Sequence, residues 1–293
     1  MNFSGFFVHS LKIFFMKRNL LIIARIIGFF IALVIIAGRF QFWAEELSGL
    51  LFTQIAPGHS IYFFVGQLGA FIGTIVVIYI FTRWVDKIPF VDIGLQMNRF
   101  NDFYKGLIFG FIPIALGFGF LYNIGLITDV KMNFDGVQVL LVFGALVFVA
   151  FNEEAFLRGY VLRNLMLISN KYVALLISAL LFAALHLGND HIDLIGFTNI
   201  FLAGILLGLS YIYTKNLWFP IGLHLAWNFS QSLFGFNVSG NSTYSLISYQ
   251  LSDEMTWLSG GEFGFEASAL SLVFLVIMIG IVYLMFRKEE DKI

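Results

Sequence analysis

The chain of 293 residues contains no cysteine. That excludes a disulfide framework, a thiolate nucleophile and any thiolate metal site. Any catalysis must therefore use carboxylate, imidazole, amide or hydroxyl groups. Charge is also scarce: 12% of residues are Asp, Glu, Lys or Arg, and the net charge is −1. So small a balance gives no electrostatic footprint for nucleic acid. Linkers between soluble domains, a repeat of fixed period and clear inverted-repeat symmetry are absent too. What the chain does have is apolar side chain, with 59% hydrophobic residues, 37 phenylalanines and a mean hydropathy of +0.89. No water-facing surface can be assembled from that composition, so the fold class expected is an all-α polytopic membrane protein.

A bilayer crossing needs about 20 mainly apolar residues. Such stretches fall at 20–38, 61–82, 105–127, 137–157, 172–187, 192–214, 217–235 and 267–286. Threading the chain through these spans puts nearly all of the 17 basic residues on one side. The opposite side has only Arg39 and Lys131, and Arg25 lies within the first span. By the positive-inside rule both termini are then cytoplasmic. The first span has the basic flank of a signal sequence, but it is long and lacks a small-x-small exit, so it is expected to stay attached. The segment 86–104 mixes Ile88, Phe90, Ile93, Leu95 and Phe100 with charges, a composition suited to the membrane interface. The stretch 236–266, rich in glycine, serine and acids, reads as an outer loop or lid. Three regions follow: membrane helices over 1–136, a core over 137–235, and the outer loop with the last span over 236–293.

The first three spans carry no ionisable residue except Arg25, so chemistry begins in the fourth. Glu154 and Arg158 stand at i, i+4 with the acid N-terminal, the favourable order for a helical ion pair. Glu153 is turned about 100° away around a helix of 3.6 residues per turn. One acid is thus held while its neighbour stays available. Two further spans carry Phe182-x-x-x-His186 and His224-x-x-x-Asn228. With Arg163, Lys171 and Lys215 as markers of the inner boundary, Glu153, His186, His224 and Asn228 lie roughly 15, 22, 14 and 20 Å deep at about 1.5 Å per residue. These depths allow one shared cavity, the arrangement that makes ionisable groups tolerable in hydrocarbon.

Blander roles exist for each residue. Glu153, Glu154 and Arg158 can form a helix-end charge cluster, His186 can sit at a membrane interface, and His224 with Asn228 can glue helices together. Phe182 reads as packing on the face of His186. His9, His59 and His191 read as solvated, and Asn241-x-Thr243 is a glycosylation sequon in the outer loop that matters only in a glycosylating cell.

Together the three patterns, E-E-x-x-x-R, F-x-x-x-H and H-x-x-x-N, resemble the CPBP family of intramembrane proteases (CAAX protease and bacteriocin-processing, or Abi), which includes the type II CAAX prenyl endopeptidase. No motif position departs from the family pattern, and the resemblance covers 137–235. It implies intramembrane hydrolysis of peptide bonds in membrane-associated or lipidated peptides and proteins, usually on the cytoplasmic side. In that scheme Glu153 and His186 position and deprotonate a water, His224 and Asn228 stabilise the oxyanion, and Glu154, Arg158 and Phe182 support them.

No cofactor is expected under this glutamic mechanism. A zinc ion is the alternative, held by Glu153, His186 and His224, although no H-E-x-x-H is present. Two other classes of function stand beside the protease: an ion- or proton-coupled transporter, and a non-catalytic bacteriocin-immunity protein. The partners implied are membrane lipids and a peptide or membrane-protein substrate, in a cell membrane of bacterial type.

Overall fold

The computed structural model describes residues 3–56 and 58–288, with side chains from Met16 onward. The side chains of His9 and Lys12, and the whole of Lys292, lie outside the described residues. Among the described residues are eight helices of fifteen residues or more: α1 Phe3–Leu51, α2 Ser60–Ile80, α3 Asn101–Asn123, α4 Gly136–Glu154, α5 Lys171–Leu185, α6 Leu194–Thr214, α7 Trp218–Phe234 and α8 Ala269–Phe286. Each expected span has its helix. Six helical stretches among the described residues are long and apolar enough to cross a membrane by themselves. The helices α5, of 15 residues, and α7, of 17, are shorter. The protein is a multi-pass, all-α membrane protein.

Local chemistry sets the helix ends. Asp135, Asn170, Asp193 and Ser268 cap α4, α5, α6 and α8, their side chains accepting from backbone N–H groups of the first turn. Gly235 ends α7 with φ 89°, a left-handed closure that glycine adopts without strain. The helix α1 is far longer than the span expected at 20–38, since no proline interrupts it.

Hydrocarbon supplies no hydrophobic drive between helices, so close backbone approach must serve instead. The pairing of α3 with α7 shows this. A Cβ at Gly106 would meet the carbonyl of Phe219, one at Gly110 the carbonyl of Leu223, and one at Gly222 the carbonyl of Phe103. The faces turned outward from the bundle stay apolar, with Leu20, Ile27, Ile31, Val34 and Ile35 of α1 all exposed.

Two features differ from the sequence expectation. Residues Ile127–Met132 and Ile247–Leu251 form antiparallel strands β1 and β2, so the third span ends at Asn123 and the 236–266 stretch is partly ordered as sheet. Tyr244 ties this side together, accepting from the Asp135 N–H and donating to the carbonyl of Asn133. The second feature is the segment 86–104, which does more than lie at an interface. Val91 and Met97 are exposed, yet Ile93 is fully buried. The Ile93 carbonyl accepts from Tyr211, the Gly94 carbonyl accepts from the Leu217 N–H, and the Gln96 carbonyl accepts from both Asn216 and Trp218. This segment forms a floor under α6 and α7. Arg25, the lone cation of the first span, pairs with Asp86 at 3.2 Å.

Candidate active site

The helix α4 does not stop at its acids. It continues as a π-helical stretch, Ala155–Leu162, before a last α-turn at Arg163–Leu165. Widened turns of this kind recur where a helix must re-aim side chains. Here the widening begins immediately after Glu153 and Glu154, and the two carboxylates go separate ways, as their angular offset predicts.

Glu154 is fully buried and accepts from Arg158 Nη1 at 2.7 Å. Arg158, also fully buried, donates through Nη2 to the carbonyl of Gly204 on α6 at 3.2 Å and lies 4.5 Å from the centroid of the Phe182 ring. The same Oε1 of Glu154 lies 2.9 Å from His224 Nδ1. A carboxylate only accepts, so Nδ1 carries the hydrogen and Nε2 is left for other use. Glu153, by contrast, keeps a third of its side chain exposed, and its Oε2 lies 3.9 Å from His224 Nε2, too far for a direct hydrogen bond.

His186 caps the C-terminus of α5, where its Nδ1 lies 2.8 Å from the carbonyl of Phe182. Since a carbonyl also only accepts, the neutral ring presents its Nε2 lone pair. Phe182 lies against both imidazoles, tilted to His186 with ring centroids 4.8 Å apart and edge-on to His224 at 6.2 Å. Asn228 is buried one turn beyond His224 and has no hydrogen-bond partner among the described residues.

A cavity of about 620 Å³ is lined by Glu153, Phe182, His186, His224 and Asn228, while Glu154 and Arg158 stand behind its wall. All seven residues named by the motifs are thus brought to one place. Sequence reasoning missed several neighbours. Asn152, Gln67, Asn199 and Glu266 also line the cavity, and the Oδ1 atoms of Asn152 and Asn199 are buried without a partner among the described residues. Asn199, a lone amide in an apolar span, was a visible signal; Glu266, in a polar loop, was not. Glu266 accepts from Trp227 and Gln231 through Oε1, and from the Ser239 N–H and hydroxyl through Oε2, fastening the loop onto α7. His59 is not simply solvated: it caps α2 and lines the cavity. His191 fits its expectation better, being half exposed beside Glu262 at 3.0 Å.

Glu153, His186 and His224, the set considered for zinc, form no preorganised metal-binding group, and neither does any other trio of His, Asp or Glu among the described residues. One nitrogen of each imidazole is engaged with an oxygen and the other is left free, an arrangement common to metal-ligating and metal-free histidines.

Residues 135–230 match the sequence model of the family described as Type II CAAX prenyl endopeptidase Rce1-like. That segment is similar to this family. The Rce1-like segment runs from α4 into α7 and carries all three motifs, consistent with a CPBP membrane protease. At the level of the family the activity is that of a CAAX-protease-like intramembrane endopeptidase. Neither a curated protein nor a solved structure matches the chain.

Proposed function

We propose that the protein is an intramembrane endopeptidase in which Glu153 and His186 hold and deprotonate a water that attacks a peptide carbonyl. The observation that carries this reading is the convergence of Glu153, His186, His224 and Asn228 on one membrane-embedded cavity. Glu153 is the carboxylate still open to the cavity, and His186 offers an acceptor nitrogen to the same space.

His224 and Asn228 face the negative charge that develops on the carbonyl oxygen. Asn228 can donate from its amide. Because His224 Nδ1–H is engaged with Glu154, donation from Nε2 requires the imidazolium. The cluster accommodates that form: Glu153 and Glu154 carry two negative charges, and Arg158 with a protonated His224 carries two positive ones. Glu154 and Arg158 are then positioning residues that orient the imidazole. One donor of this kind typically contributes about 3 kcal/mol to the transition state. The unpartnered amide oxygens of Asn152 and Asn199 suit the N–H groups of a peptide backbone lying in the cavity.

Purified protein incubated with membrane peptides, with products read by mass spectrometry, tests the reading. Cleavage by the parent and its absence in Glu153→Gln is the expected result, and equal cleavage by both would overturn it. A zinc-dependent route is checked in the same assay, since metal-free water activation survives dialysis against a strong chelator. A transporter remains the competing class, and ion flux in liposomes that depends on Glu153, without cleavage, would establish it instead.

A further inference from the structure

Resting on the protease reading, we infer that Glu266 is a positioning residue for catalysis, holding the His186 end of α5 in register with α7 through Ser239 and Asn189. His186 sits at the C-terminal end of α5, and its Nδ1 contact to the Phe182 carbonyl lies within that helix. That contact orients the ring on α5 and leaves its distance from α7, where His224 and Asn228 stand, unset. Across the two helices the Phe182 ring meets His224 edge-on, an apolar contact that tolerates sliding. Water activation and oxyanion binding must act on one carbonyl, so the register of α5 against α7 needs directional bonds.

Glu266 supplies them. Its Oε1 accepts from Trp227, next to Asn228, and from Gln231, one turn further along α7, both at 3.2 Å. Its Oε2 accepts from the Ser239 N–H at 2.9 Å and hydroxyl at 2.6 Å, and the Ser239 carbonyl accepts from Asn189 at 2.9 Å. The Asn189 N–H donates in turn to the His186 carbonyl at 3.0 Å, which completes a path from α7 to the end of α5. The backbone around Glu266 is fixed as well, since Asn199 of α6 donates to the carbonyls of Glu266 and Ser268, each at 2.8 Å. Ser239 has φ 49°, a left-handed conformation uncommon outside glycine, and Glu266 engages both its N–H and its hydroxyl there. A Cβ at Gly240 would meet the carbonyl of Asp190, so the loop is seated directly on the turn that follows His186. A loop merely fastened to α7 needs neither the Asn189 link nor this close seat.

The test uses the full chain in detergent, with two variants that cut the path at different points. Asn189→Ala cuts it beside His186, and Glu266→Gln cuts it at the junction, because an amide has one accepting oxygen where the carboxylate has two. Kinetics are read on a peptide that the parent cleaves among the membrane peptides, and the five histidine rings are labelled for NMR. In both variants kcat should fall roughly 10–10²-fold while KM changes by less than about twofold, as for a misplaced reacting group. The His186 signal should shift or broaden while that of His224, held by Glu154, stays in place. The double variant should lose no more than the worse single one, since both lie on one path. A parent-like kcat and His186 signal in Asn189→Ala would overturn the inference, even if Glu266→Gln fails to fold, and leave Glu266 a fastener of the loop alone. A rise confined to KM would overturn it too. Full kcat in both variants beside its loss in Glu153→Gln would keep the protease and refute the positioning role; a displaced His186 signal in a protein that cleaves nothing would do the opposite.

Discussion

The N-terminal helix and the motif-bearing core meet the same membrane with opposite means. The helix α1 shows apolar side chains to its surroundings along most of its described length and brings two cations to neighbours, Arg25 against Asp86 and Arg18 against the carbonyl of Leu167. The core α4–α7 buries Glu154, Arg158, His224 and Asn228 almost completely and joins three of them by short polar contacts. The comparison teaches where specificity resides. A lipid-facing helix is satisfied by any apolar side chain of tolerable shape, whereas a buried ionic cluster is satisfied by one set of partners.

The sharpest way to break the comparison is Arg158→Ala. It leaves Glu154 buried and without its cation, a loss on the order of 3–5 kcal/mol, so both thermal stability in detergent and cleavage should collapse; a variant as stable as the parent would show that the core is no more brittle than α1. Glu153→Gln should separate stability from chemistry within the core. Its carboxylate is partly open to the cavity, so melting should barely move while the rate falls by roughly 10²–10⁴-fold. Asn228→Ala should lower kcat by about 10²-fold with little change in KM, because its donor matters as charge develops. A change confined to KM would make it a substrate-positioning residue.

Smaller effects test the packing side. Gly110→Ala must push α3 from α7 at the carbonyl of Leu223, and a cost of about 1–3 kcal/mol is expected for such overpacking, read as a lowered melting temperature. At the far end of the scale, Ile31→Leu on the exposed face of α1 should stay within about 0.5 kcal/mol of the parent and leave activity untouched. A large effect there would reveal a protein partner on that face.

Most of the site was legible because its patterns are local. Glu154 with Arg158, Phe182 with His186 and His224 with Asn228 each repeat at one helical turn, and the divergence of Glu153 from Glu154 follows from the 100° step of a helix. The membrane class and the eight apolar stretches followed from composition and run length. The strands β1 and β2 were not legible, since their pairing joins residues more than a hundred positions apart and neither strand has a marked alternation of its own.

What the sequence alone determined, then, is that ionisable groups on three apolar helices must share a polar space, because hydrocarbon leaves them no other partner. Which carboxylate receives His224, that Asn152, Asn199 and Glu266 join the wall, and that 86–104 packs under α6 and α7 were decided only by the tertiary structure. The physical reason is the same in each case. A helix fixes the angles between its own side chains, but the rotation and depth of one helix against the next are set by long-range contacts, such as Gly110 against the backbone of α7 and Arg158 reaching the Gly204 carbonyl, that no local spacing encodes.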